Sequence, residues 1–152
     1  MALKATICKA EIQITDMDRG YYQAHALTIA QHPSETAERM LLRILAFALN
    51  ASETLSFTRG ISTDDEPDIW QKNLSDEIEL WIDLGQPDDK RIRKACGRAR
   101  QVIIYTYKER SASVWWSQAQ NKLARFNNLA VIHLDVTEHA ELKKMAARTS
   151  LV

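Results

Sequence analysis

Two aspartates at the borders of apolar segments are the residues of this chain best suited to chemistry. Asp68 ends the acidic stretch 64–68 and is followed directly by Ile69 and Trp70. Asp83 lies near the C-terminal end of the apolar segment 78–84. Carboxylates are the ligands that Mg²⁺ or Mn²⁺ prefers, and such a cation polarises a phosphate group and activates water. The pair therefore predicts a phosphodiesterase site, with a surface loop at Asp68 and a turn-capping role for Asp83 as the alternatives.

Glu38 is the third candidate metal ligand. If its segment is a helix, the residues three, four and seven positions further on are all leucines. A carboxylate on an apolar stripe is costly unless it has a partner, which favours a place beside Asp68 and Asp83. The alternative is that Glu38 lies in the first helical turn, where the helix dipole stabilises it and water reaches it.

The lysine that usually follows the second acid of such a site by two residues is missing. Gly85 stands at that position and Gln86 comes next. Gln86 can donate a hydrogen bond to the attacking water or to a phosphate oxygen, but it carries no charge. Lys90 and Lys94 lie one helical turn apart and could supply that charge from another backbone position. The candidate catalytic residues are therefore Asp68, Asp83, Gln86, Lys90 and Lys94.

A basic segment follows Asp83. Its positive residues are Lys90, Arg91, Arg93, Lys94, Arg98 and Arg100. Charged runs on helices are commonly solvated faces, but this one is concentrated in a protein whose net charge is zero. It could therefore bind phosphate groups.

Composition indicates an ordinary globular protein. The 152 residues, of which 45% are hydrophobic, fit one domain spanning residues 1–152. Cys8 and Cys96 lie far apart, without the spacing of metal ligands, which favours a reducing compartment. We expect a cytoplasmic protein with no membrane partner, since we see no signal peptide and no apolar run that could span a bilayer. The oligomeric state stays open.

Hydrophobic periodicity predicts a mixed α/β (α+β) fold. Strands are expected at about 5–15, 22–31, 55–58, 69–70, 78–84, 101–107 and 129–135. Helices are expected at about 34–50, 87–97, 111–126 and 137–147, with Ser34 as the N-cap of the first. The fold would be a central mixed sheet flanked by helices, with an N-terminal antiparallel hairpin and a largely parallel C-terminal half.

Other candidates are weaker. His133 and Asp135 share one face of the last strand, but such a pair is more often structural. Trp115 and Trp116 could stack nucleic-acid bases, although Trp115 fits the buried face of a helix equally well. No phosphate-binding glycine loop and no serine-hydrolase motif occurs in the sequence.

Segments 67–70 and 81–88 together with the helix around Arg91–Ala95 closely resemble the YaeQ family of small bacterial proteins, and the similarity extends over essentially the whole chain, including Ser34–Met40. That family is regarded as a variant of the PD-(D/E)XK, or restriction-endonuclease-like, nuclease fold. The resemblance implies an acidic metal site, with Pro67-Asp68 as the first half of the motif and Asp83 as the acid of the second. The lysine of that motif has no counterpart at Gly85.

Two functions remain open on the sequence. The first is a Mg²⁺- or Mn²⁺-dependent phosphodiesterase of the nuclease type, with Asp68, Asp83 and Glu38 as metal ligands. The second is a non-catalytic module that keeps the nuclease-like fold and uses its basic helix to bind nucleic acid or an acidic protein. A plain protein-interaction scaffold is a third possibility. The sequence does not distinguish DNA, RNA or nucleotide as the partner.

Overall fold

A computed structural model of the chain describes residues 6–33, 35–58 and 66–134. These residues fall into two compact units, one ending at Ala51 and the other beginning at Ser52. The strands are β1 (Thr6–Asp16), β2 (Tyr21–Gln31), β3 (Leu55–Phe57), β4 (Ile69–Lys72), β5 (Ile78–Leu84), β6 (Ala99–Thr106) and β7 (Leu129–His133). The helices are α1 (Ala37–Leu49), α2 (Asp89–Arg98) and α3 (Glu109–Leu123). The predicted helix at 137–147 lies outside the described residues.

The first unit begins with an antiparallel hairpin formed by β1 and β2. Its loop, residues 17–20, is longer than two residues, as predicted, and Gly20 closes it with a φ of +63°. Along β1, Cys8 and Ile14 are buried while Lys9 and Gln13 are exposed, so the alternating pattern of the sequence matches the two faces. Within the described residues this hairpin is a two-stranded sheet of its own.

Helix α1 begins later than the sequence suggested. Thr36 is its N-cap, since the side chain of Thr36 accepts a hydrogen bond from the backbone N–H of Arg39. The prediction of Ser34 as the N-cap was therefore wrong. Hydroxyl residues at both positions satisfy the same capping rule, and the start of the buried apolar stripe decided between them.

A buried ion pair joins α1 to the residues before it. The Glu35 carboxylate accepts hydrogen bonds of 2.7 Å from both Arg39 and Arg43. Arg43 also donates to the carbonyl oxygen of Ala30 in β2 at 2.8 Å. Arg39 and Arg43 therefore form a salt-bridged face of α1, and Arg43 is buried.

The second unit is built on a five-stranded sheet in the order β3-β4-β5-β6-β7. Strands β3, β4 and β5 pair antiparallel, whereas β5, β6 and β7 pair parallel. The prediction of a mixed α+β fold with a parallel C-terminal half is confirmed. Because β5, β6 and β7 run in the same direction, their carboxyl ends lie at one edge of the sheet.

One hydrophobic cluster holds this sheet to its two helices. Its buried members are Ile78, Trp81, Ile92, Ala95, Ala99, Val102, Ile104 and Leu123. They come from β5, α2, β6 and the end of α3, and Trp115 packs against them. Burial of these side chains fixes where α2 crosses the sheet, and that position brings one of its arginines to the end of β5.

None of the helices among the described residues is long and apolar enough to cross a membrane. The expectation of one domain over residues 1–152 stays a prediction, as does a cytoplasmic location.

Candidate functional site

Antiparallel pairing of β4 and β5 brings the two predicted aspartates together. Ile69 lies opposite Ile82, so Asp68 enters β4 beside Asp83 near the end of β5. The Leu84 N–H donates to Oδ2 of Asp68 at 2.9 Å, and the Asp68 N–H approaches Oδ1 of Asp83 at 3.3 Å. Each aspartate is 3% exposed. Both carboxylates are therefore buried, which argues against the surface-loop alternative for Asp68.

Arg91 binds both oxygens of Asp83. Its Nε lies 3.0 Å from Oδ2 and its Nη2 lies 3.2 Å from Oδ1, which is the fork geometry of a strong arginine–carboxylate pair. Trp81 donates its indole N–H to Oδ2 at 3.0 Å, since residues two apart on a strand share a face. Arg91 also donates to the carbonyl oxygen of Glu66 at 2.8 Å, joining α2 to the segment before β4.

Burial governs the protonation of Asp83. Its loss of solvation raises the pKa of this carboxyl above the ordinary value of 3.8. The hydrogen bonds from Arg91 act in the opposite direction, and the charge of Asp68 adds to the increase. Net elevation means that the ion pair does not fully offset the cost of removing this carboxylate from water.

Gly85 follows β5 directly and adopts a conformation that disfavours a lysine at this position. Its φ is +105°, in the left-handed region that residues with a Cβ rarely adopt. The Gly85 N–H still donates to the carbonyl oxygen of Tyr105 at 2.8 Å, so the chain turns only after this last ladder bond. A lysine at this position would strain the turn that leads from β5 into α2.

Within the described residues, the side chain of Gln86 hydrogen-bonds to α3 and not to Asp68 or Asp83. Its amide donates to the hydroxyl of Ser111 at 2.8 Å, near the start of α3. Lys90 and Lys94 are on the exposed side of α2. The three residues proposed to replace the missing lysine therefore remain untested in that role, whereas Arg91 of the same helix contacts Asp83.

Sequence reasoning named Arg91 only as part of the basic segment. Helical spacing could have singled it out, because Arg91 immediately precedes buried Ile92 and lies four residues before buried Ala95. On the helix it therefore borders the face that packs on the sheet. Asp88 is the N-cap of α2 and helps to fix this orientation, because its carboxylate accepts a hydrogen bond from the backbone N–H of Arg91 at 2.8 Å.

The observed donors do not fit a divalent cation in this arrangement. A cation needs several oxygen atoms with lone pairs directed at one point, but both oxygens of Asp83 already accept from Arg91. Among the described residues, no group of three or more His, Cys, Asp and Glu side chains is placed to hold a metal. Glu38 belongs to the first unit, on α1, and its role as a ligand stays a prediction.

Comparison with known proteins supports the family resemblance. The sequence profile described as "YaeQ protein" matches residues 1–152. This chain belongs to the YaeQ family. "Uncharacterized protein YaeQ" of Salmonella typhi is 51% identical over 149 residues, covering 98% of this chain and 82% of the relative, and that of Escherichia coli K12 is 50% identical with the same coverage.

Solved structures of the YaeQ family share the fold. The crystal structure of the YaeQ protein from Xanthomonas axonopodis pv. citri matches with a TM-score of 0.87 at 50% identity, covering 93% of this chain and 80% of that one. The YaeQ protein from Pseudomonas syringae matches with a TM-score of 0.85 at 37% identity, covering 93% and 76%. The mixed α+β architecture is therefore shared with these solved YaeQ structures.

The conformation of Gly85 generates a test of why the lysine is absent. We expect Gly85→Lys to lower the free energy of unfolding by about 1 to 3 kcal/mol, because a Cβ is strained at positive φ. Gly97→Lys is the matched control, since Gly97 is exposed on α2 and a helix former there should be neutral or stabilising. Urea unfolding of both variants measures the change in the free energy of unfolding. Equal changes in the two variants would mean that backbone strain does not explain the absence of lysine at position 85.

The raised pKa of Asp83 generates a second test. The folded state binds a proton at Asp83 more readily than the unfolded state, so this group's contribution to stability is greatest at low pH and is lost as pH rises through the folded pKa. We therefore expect wild type to gain stability relative to Asp83→Asn as the pH is lowered from about 7 to about 4. Urea unfolding across this range measures the difference. If wild type instead loses stability relative to Asp83→Asn on acidification, pairing with Arg91 outweighs burial in setting the pKa of Asp83.

Proposed function

We propose that this protein is a non-catalytic nucleic-acid-binding module in which the buried acids organise a basic helix. The observation that carries the proposal is the forked ion pair between Arg91 and Asp83. Arg91 neutralises the carboxylate on which a metal site would depend and fastens α2 to the end of β5. Lys90, Arg93 and Lys94 of the same helix are exposed.

The exposed face of α2 has the composition of a phosphate-binding surface. The helix contains five basic residues and one acidic residue, Asp89 in its first turn. Lys90, Arg93 and Lys94 are exposed, and the helical period places them on the side opposite Ile92. Lysine and arginine on one helix face contact consecutive phosphates of a nucleic-acid backbone and release its counterions.

The local concentration of positive charge distinguishes this face of α2 from the rest of the protein surface. The whole chain has twenty basic and twenty acidic residues, so no long-range field attracts a polyanion to the molecule at large. Attraction arises only where positive side chains are gathered. An acidic protein surface could use the same face, but a regularly spaced polyphosphate backbone suits a row of cations one helical turn apart better.

Neutralising the face of α2 tests the proposal. We expect the triple variant Lys90→Gln, Arg93→Gln, Lys94→Gln to lose at least about tenfold in affinity for a fluorescein-labelled oligonucleotide, since phosphate contacts supply most non-specific binding. Fluorescence anisotropy at several salt concentrations measures the affinity and the salt dependence. The slope of log affinity against log salt should also become shallower by about two to three.

A matched control separates this face from total charge. Arg110→Gln, Lys122→Gln, Arg125→Gln removes the same number of positive charges from exposed positions of α3 and the residues just after it. This variant should bind nearly as well as wild type. Equal losses in the two triple variants would refute a binding face on α2.

The metal-dependent phosphodiesterase is the second candidate, and one observation favours it. Oε2 of Glu66 is a buried carboxylate oxygen that has no hydrogen-bond partner among the described residues. Glu66 lies two residues before Asp68, and its backbone carbonyl contacts Arg91. A cation that displaced Arg91 from Asp83 would have Asp68 and Asp83 as ligands, with Glu66 the nearest further acid along the chain.

Calorimetric titration with Mn²⁺ and Mg²⁺ distinguishes the two candidates. Under the leading proposal we expect no saturable binding of either cation. Labelled oligonucleotides incubated with the protein and Mg²⁺ should also stay uncleaved, and EDTA should leave the affinity for them unchanged. Saturable Mn²⁺ binding that Asp68→Asn abolishes and the exposed-site control Glu53→Gln retains would favour the phosphodiesterase instead. Asn and Gln are used because they preserve side-chain volume at these positions.

A further inference from the structure

A cavity with tryptophan walls lies at the carboxyl ends of β6 and β7. Its volume is about 320 Å³, at the small end of the range for ligand pockets, which is about 300 to 1,000 Å³. Two indole rings line it, those of Trp115 and Trp116, with centroids 6.2 Å apart. Ligands of parallel sheets collect outside the carboxyl ends of strands, and this cavity is in that position.

Trp116 presents part of a large apolar side chain to solvent, which is costly. Its side chain is 41% exposed, whereas Trp115 is partly buried against the core and donates its indole N–H to the Pro87 carbonyl. Trp116 also lines a second cavity, of about 410 Å³, which shares Val131 with the first. An indole accessible in this way is a stacking surface for a planar ring.

Polar groups on the wall suit the edge of a heteroaromatic ring. The carboxylate of Glu109 and the hydroxyl of Ser113 line the cavity, and neither makes a hydrogen bond within the described part of the chain. His133 also lines it, with Nδ1 hydrogen-bonded to the hydroxyl of Thr106 at 2.8 Å. That bond orients the imidazole and leaves Nε2 for a ligand. A carboxylate acceptor beside an indole face matches a base that carries an exocyclic amino group.

A smaller cavity flanks the same first turn of α3 from the other side. It has a volume of about 220 Å³ and is lined by Gly85, Gln86, Tyr107, Lys108 and Ser111. Lys108 provides a positive charge, and the Gln86–Ser111 hydrogen bond sets an amide and a hydroxyl beside it. The negative charge of Glu109 disfavours a phosphate in the tryptophan cavity, so a phosphate group would lie on the Lys108 side.

We propose that these two cavities form a nucleotide-binding site, with an amino-bearing base stacked on Trp116 and its phosphate beside Lys108. The ligand chemistry is that of adenosine monophosphate, whether as a free nucleotide or as an unpaired residue of a nucleic-acid strand. The site does not depend on the basic face of α2, because none of its residues belongs to that helix.

Isothermal titration calorimetry of the full chain with three probes tests the site. The probes are adenosine monophosphate, adenosine and a six-nucleotide single strand of deoxyadenosines. Trp116→Leu should weaken binding about tenfold or more, since one base–aromatic stack contributes that much. Trp116→Phe should retain most of the affinity, and Lys108→Gln should reduce the affinity for the monophosphate to that for adenosine.

Controls make each outcome decisive. Val114→Ala changes an exposed residue of the same helix that lines neither cavity, and it should bind like wild type. Stronger binding of the monophosphate than of adenosine identifies a free nucleotide as the ligand and supports the site. Binding of the single strand alone identifies an unpaired base and supports the site when Trp116→Leu abolishes it and the α2 triple variant retains it. Binding by Trp116→Leu equal to wild type, or no binding of any probe to folded wild type, overturns it. The α2 triple variant should still bind the monophosphate, so loss of one proposal is distinguishable from loss of the other.

Discussion

A buried carboxylate at the end of a strand constrains everything around it in the second unit. Asp83 loses almost all of its hydration, which no charged group tolerates without compensation. Arg91 compensates with two hydrogen bonds and Trp81 with a third. The carboxylate of neighbouring Asp68 accepts a hydrogen bond from the Leu84 N–H. Removing the arginine alone would leave a buried charge unpaired, which costs several times what an exposed ion pair contributes. The orientation of α2 is therefore tied to the end of β5.

This constraint divides the charges of α2 between two tasks. Arg91 is next to the apolar face and is used inside the fold, while Lys90, Arg93 and Lys94 point to solvent. Because a helix turns once in 3.6 residues, neighbours in the sequence face different environments. A basic run that looks uniform in the sequence thus contains residues in different environments, with Arg91 paired to Asp83 and with Lys90, Arg93 and Lys94 exposed.

The first unit solves a similar problem with a different local geometry. Glu35 is buried just before α1 and is paired with Arg39 and Arg43, of which Arg43 also reaches the carbonyl of Ala30 in β2. In both units a helix arginine neutralises a buried acid and joins the helix to a neighbouring segment. Buried pairs of this kind add little net stability, but they penalise alternative packings strongly, because a misplaced helix would leave the acid without its partner.

Local patterns in the sequence determined most of the elements. Alternation along β1, the apolar segment 78–84 and the strand–helix order after Ile78 predicted the hairpin and the parallel half of the sheet, because side-chain period and connection length are properties of neighbouring residues. The nearness of Asp68 and Asp83 was only a hypothesis on the sequence, and the antiparallel register of β4 and β5 decided it. Only the tertiary structure decided which cation meets Asp83, that Gly85 adopts a positive φ, and that Gln86 turns to Ser111. These depend on the angle at which α2 crosses the sheet and on the packing of α3, and both are set by contacts between residues far apart in the chain.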